Sequence, residues 1–369
     1  MQKIRWCKSC VVASTRPRVI FNDKGICSAC VWAEEKKNID WGKRQEQLDK
    51  LLSEQKANPN YQCIVPCSGG KDGSYIAYNL KHKKKVNPLT VTVRPALEQE
   101  SGSKNLQNFI NKGYDHLLIS PDQTAMRRLN KLGFTELGHA YYGWVIAVNT
   151  AVVRISIELN IPLIFYAEDG DVEYGGDSKH KNNGIYGVDY QETNHVEGKY
   201  RKILEMSNLT KEQLHWFTYP SMEEIKKKKL QLTHWSYYED WNPYRNYEIA
   251  KKHCGLVENE TMNIGTYTNF GQLDQKFYPL HCYLMYLKFG FGRTTMDAGI
   301  DVRRGAMTRE QAVKLVSMYD TQQAPEVFYD TYCDYYQMTK AEFFETLDKW
   351  VNKDLFEKKN RWVPKFQIQ

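Results

Sequence analysis

The chain has 369 residues, of which 41% are hydrophobic, and it carries a formal net charge of +7. This length allows a large hydrophobic core, and we predict one main domain with additions. No apolar run approaches the roughly 18 to 20 residues that a membrane-spanning helix needs. The first residues, Met-Gln-Lys-Ile-Arg-Trp-Cys, contain no apolar signal region, so we expect a cytoplasmic protein. The mild positive charge permits an anionic small molecule or RNA as a partner but requires neither.

Cysteine spacing near the N-terminus indicates a metal site. The pairs Cys7-x2-Cys10 and Cys27-x2-Cys30 are separated by sixteen residues, and each can place two thiolates on one tight turn. Two such turns complete a tetrahedral Zn²⁺ site, so we predict a zinc ribbon with a structural zinc ion and a strand within residues 18–25. An iron–sulfur cluster and a nucleic-acid-binding ribbon are the alternatives. The total of nine cysteines is odd, and we expect no disulfide framework.

The strongest signal lies in residues 64–74, Ile-Val-Pro-Cys-Ser-Gly-Gly-Lys-Asp-Gly-Ser. A short apolar run, a glycine pair and the segment after them predict a strand, a tight loop and a helix. Glycines let the backbone turn closely around a ligand, and a helix N-terminus offers unpaired N–H groups to an anion. Ser68 and Ser74 add hydroxyl donors, Lys71 adds a cation, and Asp72 adds a carboxylate suited to Mg²⁺ or to the reacting centre.

This loop differs from the mononucleotide P-loop, which has four residues between its first glycine and its Gly-Lys-Ser/Thr end. It resembles the pyrophosphate loop (PP-loop) of the ATP pyrophosphatases, Ser-Gly-Gly-x-Asp-Ser, except that Gly73 displaces the final serine by one position. The resemblance implies that ATP is cleaved between its α and β phosphates. A plain glycine turn at a strand–helix corner is the alternative. The ATP-binding residues that the resemblance implies are Ser68, Gly69, Gly70, Lys71, Asp72, Gly73 and Ser74.

Apolar runs at residues 89–93, 115–120 and 163–167 predict further strands, and residues 41–55 and 141–160 predict helices. The alternation of strands with helices predicts an α/β fold with a doubly wound parallel sheet. In such sheets the ligand lies beyond the carboxyl ends of the strands.

Charged residues follow several of these strands. We predict Arg94, which follows the second strand, near the adenosine. Glu168 opens an acidic segment, residues 168–177, that could hold Mg²⁺ or contact the substrate, although an acidic surface loop would have the same composition. Arg293 and Arg303 lie near glycine-rich turns, where arginines suit bidentate recognition of phosphate or carboxylate. A structural role for these arginines is the alternative.

Three features together resemble one family. The four-cysteine ribbon, the Ser-Gly-Gly-Lys-Asp-Gly-Ser loop and the Lys-Phe-Gly-Phe-Gly-Arg stretch at 288–293 are similar to the N-acetyl sugar amidotransferases of bacterial surface-polysaccharide and flagellin-glycan synthesis, over about residues 5–350. The resemblance implies conversion of an acetamido group on a nucleotide-activated sugar into an acetamidino group, in lipopolysaccharide O-antigen or related glycan synthesis. It also implies ATP and ammonia, the latter from a separate glutaminase subunit with a cyclase-like partner, relatives of the histidine-pathway pair.

The resemblance further implies a mechanism. The acetamido oxygen attacks the α-phosphate of ATP, which gives an O-adenylated imidate and pyrophosphate, and ammonia then displaces AMP. Lys71 and Asp72 are the implied catalytic residues: Lys71 offsets charge, and Asp72 binds Mg²⁺ or orients the reacting group. Glu168 and Arg94 join the implied ATP site. The implied cofactors are ATP, Mg²⁺ and a structural Zn²⁺. The implied contacts of the sugar are Arg293, Arg303 and Tyr174.

We predict five segments along the chain. They are the zinc ribbon (1–35), a helical connector (36–60), the ATP-binding core of PP-loop, or adenine nucleotide alpha hydrolase-like, type (61–177), a substrate-binding or partner region (178–309) and C-terminal helices (310–369).

Two other functions fit parts of the sequence. A tRNA thiolase of the same superfamily would use cysteines near the loop, such as Cys63 and Cys67, but no third cysteine completes a cluster-binding triad. A non-catalytic zinc-ribbon scaffold for a glutaminase complex is the second. We expect no membrane partner and no nucleic acid.

Overall fold

The computed structural model describes residues 4–368, and its centre is a five-stranded parallel sheet. The strand order is β3-β2-β1-β4-β5, and every neighbouring pair is parallel. Residues 1–3 and 369, which the predicted first and last segments include, lie outside the described part. The sheet strands are β1 (Cys63–Pro66), β2 (Pro88–Val93), β3 (His116–Ile119), β4 (Leu163–Tyr166) and β5 (Gln231–His234).

Helices fill most of the rest of the chain. The first half contains α1 (Ser28–Glu35), α2 (Trp41–Ser53), α3 (Lys71–Tyr78), α4 (Glu100–Asn111), α5 (Gln123–Leu137), α6 (Tyr142–Glu158) and α7 (Gly170–Tyr174). The second half contains α8 (Val188–Tyr190), α9 (Tyr200–Ser207), α10 (Met222–Lys227), α11 (Pro243–Ile249), α12 (Phe277–Phe289), α13 (Arg293–Arg303), α14 (Arg309–Tyr319), α15 (Tyr329–Tyr336) and α16 (Lys340–Lys349).

The sheet is covered on both faces, as residue alternation along a strand requires. Ile64 of β1 packs on one face in a cluster that includes Val152 of α6. The next residue, Val65, packs on the other face with Leu48 of α2 and Ile76 of α3. The predicted α/β fold with a parallel sheet between helical layers is therefore confirmed.

The connections place a crevice beside β1. From β1 the chain proceeds to β2 and β3 on one side of the sheet, and it then crosses to β4 and β5 on the other. The connections after β1 and β4 therefore diverge at the carboxyl ends of these adjacent strands, which is where open α/β sheets bind their ligands.

The fifth strand, β5, was not predicted. It lies inside the 178–309 region and pairs with β4 from Leu163–Gln231 to Tyr166–His234, so the sheet continues beyond residue 177. Its four residues, Gln-Leu-Thr-His, form no apolar run, and β4 supplies the partner that makes them a strand.

Two further local predictions differ from the structure. The strand predicted within 18–25 is not formed; Phe21 makes only a single bridge with Cys27, and Cys30 lies on helix α1. The C-terminal segment contains helices, as predicted, but it also contains an antiparallel hairpin of β6 (Phe356–Lys358) and β7 (Trp362–Pro364). Among residues 4–368, no helix combines the length and apolar content of a membrane-spanning segment.

Replacing Gly73 by alanine is expected to destabilise the fold by roughly 1 to 3 kcal/mol, which is typical of overpacking. A Cβ at Gly73 would lie 2.8 Å from the Pro66 carbonyl oxygen and 2.9 Å from the Cys67 Cα, and backbone atoms cannot move aside easily. Urea unfolding measures the change. Gly170→Ala is the matched control, because Gly170 also lies in the first turn of a helix and a Cβ there meets nothing closer than Tyr174 at 3.8 Å. Equal stabilities of the two variants would contradict this account.

Candidate functional site

The loop between β1 and α3 is held close to a neighbouring helix. Gly69 has φ +78°, and a Cβ on it would lie 2.5 Å from the backbone nitrogen of Leu106 on α4. Gly69 is therefore required both for its conformation and for the close approach. Helix α3 begins at Lys71 with Gly70 as its N-cap, so the first N–H groups of the helix face the end of the loop.

A cleft of three connected chambers opens at this loop. The first chamber has a volume of about 330 Å³ and lies over the carboxyl ends of β1 and β2. One side of it is the glycine loop, and the other includes Val91, Trp144 and the segment 270–274. The chamber therefore combines a polar end at the loop with an apolar end, a combination suited to a phosphorylated nucleoside.

A second chamber of about 150 Å³ shares Lys71 and Asp72 with the first. It also receives Glu168, Tyr174 and Arg293. Five of the predicted site residues thus line one continuous space. Lys71 and Asp72 lie at the start of α3, and Glu168 follows β4. The other two lie at the end of α7 and at the start of α13. The shared carboxylate and ammonium lie at the junction of the two chambers.

Opposite charges are paired where the first and second chambers meet. The Lys71 ammonium forms an ion pair with Asp72 Oδ2, and Asn246 Nδ2 donates to Asp72 Oδ1 at 3.0 Å. Burial opposes the charged form of Lys71, but the carboxylates of Asp72 and Glu168 outweigh it and raise the Lys71 pKa. Burial and the charge of Asp72 raise the pKa of Glu168 to about 7, while Tyr174 donates its hydroxyl to Glu168 Oε1 at 2.8 Å. Glu168 can therefore exchange a proton near neutral pH.

Arg293 is held in place by both its side chain and its helix. Its guanidinium donates to the Gly271 carbonyl at 2.6 Å and lies over the Tyr278 ring at 4.8 Å from the ring centre. At the start of α13, the buried carboxylate of Asp320 accepts from Gly292 N at 2.7 Å and from Thr295 N at 3.2 Å. Asp320 therefore acts as a remote cap that fixes where α13, and with it Arg293, enters the chamber.

Three side chains predicted for the ATP or sugar site lie outside the first two chambers. Ser74 is fully buried on α3, with its hydroxyl 3.8 Å from Cys67 Sγ, and lines neither chamber. Arg94 points to the surface, where it pairs with Glu98 at 2.9 Å, and it does not line the first chamber. Arg303 Nη1 lies 3.8 Å from Cys10 Sγ, and its side chain lines not the second chamber but the third one described below. The predictions for Arg94 and Arg303 depended only on their positions along the chain, and no sequence feature indicates which group such an arginine contacts.

Of the acids in segment 168–177, one faces the second chamber and the others have structural roles. Glu168 faces the second chamber, whereas the other acids have partners in the protein. Asp169 caps α7, Asp171 pairs with Arg18 at 2.9 Å, and Glu173 accepts from Trp32 Nε1 at 2.8 Å. Asp177 accepts from the backbone of Lys179. The segment is therefore mostly structural, with one acid directed at the site.

Several lining residues were missed by sequence reasoning. Asn246 on α11, Asp274 before α12 and Asp297 on α13 each place a polar side chain at or beside the two chambers. None belongs to a motif, and each is separated from the glycine loop by well over 150 residues. No local signal could have identified them.

The four predicted cysteines form one cluster. Their ligand atoms all lie within 4.8 Å of one another, with Cys10 Sγ 3.7 Å from Cys27 Sγ and Cys7 Sγ 3.9 Å from Cys30 Sγ. Tetrahedral zinc with Zn–S bonds of about 2.3 Å requires sulfur separations near 3.8 Å. Among residues 4–368, this is the one group of three or more side chains arranged to hold a metal. The donor set fits a structural zinc ion.

The cysteine cluster is joined to the C-terminal helices and to the site. Arg309 Nε donates to the carbonyl oxygens of Cys7 and Cys10 at 2.9 and 3.1 Å. On the opposite side, Lys36 binds Glu173 at 3.0 Å, and Glu173 belongs to α7, which carries Tyr174. The cysteine module therefore supports the helix that positions a lining residue of the second chamber.

A third chamber of about 350 Å³ extends the cleft toward this module. It shares Tyr174, Pro243 and Arg304 with the second chamber. Its remaining wall contains three tryptophans together with lysine and arginine side chains, and Trp241 Nε1 is buried in it without a hydrogen-bond partner. The tryptophans and cations of this wall are Trp32, Trp41, Trp241, Lys36, Lys37, Arg303 and Arg304.

Replacing Glu168 by glutamine is expected to remove a pH-dependent loss of stability. The pKa of Glu168 is raised to about 7 in the folded protein from an ordinary value of 4.5. The stability that this raised pKa provides is complete below the unfolded pKa and is lost as pH rises through about 7. Glutamine does not ionise, so the variant should gain roughly 1 to 3 kcal/mol on the wild type between pH 5 and pH 8.

Urea unfolding at both pH values measures this difference. Glu98→Gln, which changes an exposed carboxyl, is the control and should show equal differences at the two pH values. A Glu168→Gln difference that does not change with pH would contradict the assignment.

Two comparisons with known proteins bear on this site. Residues 264–367 match a family model described as LPS biosynthesis protein WbpG-like, C-terminal domain. An uncharacterized protein of Methanocaldococcus jannaschii is 30% identical over 124 residues, which are 32% of this chain and 44% of that protein. The chain thus spans less than half the length of this relative. Helix α13 and the segment before α12 form one wall of the cleft, and both lie within residues 264–367, which the family model matches. Over residues 264–367 the chain is therefore similar to the C-terminal domain of the WbpG-like lipopolysaccharide biosynthesis proteins.

Proposed function

We propose that this protein is an ATP-dependent amidotransferase that converts an acetamido group of a nucleotide-activated sugar into an acetamidino group. The product would serve lipopolysaccharide O-antigen or related surface-glycan synthesis. One observation carries the proposal: the glycine loop with Lys71 and Asp72 and the WbpG-like region with Arg293 line the same cleft. An anion-binding loop facing a glycan-biosynthesis domain favours transfer of a nucleotide phosphate to a sugar substrate.

ATP occupies the first chamber in this proposal. Its phosphates lie at the glycine loop and the N-terminus of α3, where N–H groups and the hydroxyl of Ser68 can bind oxyanions. Lys71 lies at the junction of the chambers, where it can neutralise charge as pyrophosphate leaves. The carboxylate of Asp72 is a hard oxygen ligand that fits Mg²⁺, which would supply further neutralisation of the phosphates.

The sugar occupies the second chamber, with its acetamido group at the junction. The amide oxygen attacks the α-phosphorus, the bond to the bridging oxygen breaks, and pyrophosphate leaves with that electron pair. Ammonia then adds to the imidate carbon, AMP leaves and one proton is lost. Glu168 has a pKa of about 7 and lies beside Asp72, so it is suited to accept that proton. Arg293 provides a fixed cation for a carboxylate or phosphate on the sugar.

We place the nucleotide carried by the sugar in the third chamber. Indole faces suit a base, and arginine and lysine side chains suit a diphosphate. The buried Trp241 Nε1 has no partner in the protein and can donate to this group.

Ammonia from a partner glutaminase remains part of the proposal. All nine cysteines of the chain are buried. Glutaminases of the cysteine type need an accessible thiolate beside a base. We therefore expect glutamine to support turnover only when a glutaminase is added.

The tRNA thiolase alternative is disfavoured by the thiols near the loop. Cys67 lines the first chamber, but burial raises its pKa to about 12. Cys63 is also buried, and burial raises its pKa further. Neither thiol would be a thiolate at neutral pH, and sulfur transfer requires one.

Mass spectrometry of the reaction products tests the proposal. The purified chain is incubated with ATP, Mg²⁺, ammonium and a panel of nucleotide-linked diacetamido sugars. Formation of AMP together with a sugar product about one mass unit lighter, as expected when NH replaces O, supports amidine synthesis. AMP without a sugar change when tRNA is present would favour the thiolase. If no AMP forms with any acceptor, with or without an added glutaminase, the scaffold alternative stands.

A further inference from the structure

Asp274 carries a buried acceptor with no partner in the wall of the first chamber. Its Oδ1 has no hydrogen-bond partner, and the backbone N–H groups of Asp274 and Gln275 favour the charged form of the carboxyl. None of the ion pairs among residues 4–368 includes it. Burial raises the pKa of this carboxyl. An unpartnered buried carboxylate is costly, and it indicates a group that the protein itself does not supply.

The position of Asp274 is fixed from two sides. The backbone carbonyl oxygen of Asp274 accepts from Gln99 N at 3.1 Å. Two residues later, Lys276 N donates to the Leu97 carbonyl oxygen at 2.9 Å, so the two segments are joined by two backbone hydrogen bonds. A Cβ on Gly102 of α4 would lie 2.4 Å from the Asp274 Cα, so only glycine fits there. The backbone that carries the carboxylate is thus pressed against α4 and cannot be displaced without moving that helix.

Three neighbouring polar side chains of this wall already have partners within the protein. Asn105 donates to Val257 O and accepts from Val257 N, and Trp144 Nε1 donates to Val93 O at 3.0 Å. Thr92 donates to the Cys67 carbonyl. Beside Asp274 the wall also offers the exposed amide of Gln272, but Asp274 is the residue of this wall that has a buried carboxylate oxygen without a partner.

Helix α4 sets the spacing between this carboxylate and the phosphate end. Gly69 of the glycine loop touches Leu106, whereas Asp274 touches Gly102, four residues earlier on the same helix. Four residues correspond to a rise of about 6 Å, close to one turn. The ribose is joined directly to the α-phosphate, so a group about one turn away from the phosphate-binding loop falls beside the ribose.

We propose that Asp274 binds the ribose of the nucleotide by accepting hydrogen bonds from its 2′- and 3′-hydroxyl groups. This inference rests on the proposed function, since it assumes that ATP fills the first chamber. A carboxylate without a nearby cation would repel the phosphates, and Asp274, unlike Asp72, has no ion-pair partner among residues 4–368, so it suits the uncharged part of the nucleotide. A carboxylate can accept from ribose hydroxyls, and acidic residues do so at dinucleotide-binding sites. Asp274 of the WbpG-like region would thereby favour ribonucleotides over deoxyribonucleotides, while the glycine loop on the opposite wall binds the phosphates.

Calorimetric binding to the full chain, without sugar, tests this role. The ligands are ATP, 2′-deoxy-ATP, 3′-deoxy-ATP and inosine triphosphate, and the proteins are wild type, Asp274→Asn and the surface control Asp115→Asn. Wild type should bind each deoxy analogue about 10- to 100-fold more weakly than ATP, which corresponds to loss of a hydrogen bond to a charged group. Asp274→Asn should bind ATP correspondingly more weakly and should discriminate little between ATP and the deoxy analogues. Asp115→Asn should behave as wild type.

The outcomes separate this inference from the proposed function. Wild type that binds ATP and both deoxy analogues equally would overturn the ribose contact while leaving the ATP site intact. A penalty from Asp274→Asn that is the same for all ligands would overturn it as well. If inosine triphosphate is the analogue whose penalty disappears in the variant, the carboxylate contacts the base and the ribose assignment is wrong. Wild type that binds no nucleotide at all would defeat the proposed function itself.

Discussion

Replacing Asp72 by asparagine is expected to lower the rate of AMP formation by about 10²- to 10³-fold, the range seen when one electrostatic contact to a transition state is removed. Asp72 forms the ion pair that orients the Lys71 ammonium, and it lies where the first and second chambers meet. Asparagine keeps the shape of the side chain but removes its charge. Lys71 then loses its closest counter-charge at the point where the α-phosphate would react.

The assay is AMP release from ATP with an accepted sugar and ammonium, at saturating concentrations. Asp49→Asn is the matched control, since Asp49 pairs with Lys84 at the surface and its side chain is 60% exposed. Such pairs contribute about 1 kcal/mol or less, and the control should retain wild-type activity. An Asp72→Asn variant within threefold of wild type would exclude Asp72 from the reacting centre.

A second variant separates lost chemistry from lost stability. Asp72→Asn leaves the ammonium of Lys71, whose side chain is 19% exposed, without its ion-pair partner, and an uncompensated buried charge destabilises a fold. Adding Lys71→Met to Asp72→Asn removes that charge as well. The double variant should recover thermal stability relative to Asp72→Asn but no AMP formation. Recovery of both would mean that the single variant had lost activity only because it was less stable.

The sheet could be predicted where strands are apolar and bounded by turn residues. Strands β1, β2 and β4 are runs of buried aliphatic or aromatic residues, and this composition favours strands buried on both faces. The fifth strand has no such run, and its polar residues adopt strand geometry because β4 offers a free edge. The sequence of a four-residue edge strand does not encode its partner, so only the tertiary structure identifies it.

The site could also be predicted only in part, because tertiary structure and not local sequence brings some of its residues together. Lys71 and Asp72 lie on the loop that defines the crevice, and Glu168 follows the adjacent strand, so sheet topology brings them together. Arg303 lies ten residues after Arg293 on the same helix, yet it contacts Cys10. Ten residues rotate the helix to about 80° away from Arg293, so Arg303 faces another side, whereas Arg304 returns to within about 20° of Arg293 and lines the second chamber. Periodicity alone therefore could have separated the two arginines.

Replacing Cys27 by serine is expected to release the metal and to destabilise the N-terminal module by several kcal/mol. Structural zinc in small modules contributes about 10 kcal/mol or more to folding. The four cysteines form one buried cluster with Val12 and Ala29, against which Val19, Phe21 and Ile26 pack. We expect one zinc ion per wild-type chain by metal analysis, and a lower midpoint of thermal unfolding after treatment with a strong chelator.

Cys333→Ser is the matched control, because Cys333 is also buried, at 6% exposure, but lies on α15 away from the cluster. It should keep its zinc and lose only the small free energy of one buried thiol. Wild-type protein that contains no metal, or a Cys27→Ser variant as stable as Cys333→Ser, would contradict a structural zinc site. Visible absorbance from bound iron would favour the cluster alternative.

Loss of zinc should also lower catalysis without abolishing nucleotide binding. The module reaches the cleft through Lys36 and Trp32, which both bind Glu173 on α7, and α7 carries the Tyr174 that donates to Glu168. The glycine loop, in contrast, is held by β1, α3 and α4, and among residues 4–368 no hydrogen bond or ion pair joins it to Cys7, Cys10, Cys27 or Cys30. We therefore expect Cys27→Ser to retain ATP affinity within a few fold while the turnover number falls. Parallel losses of both would mean that the module supports the whole sheet and not the second chamber alone.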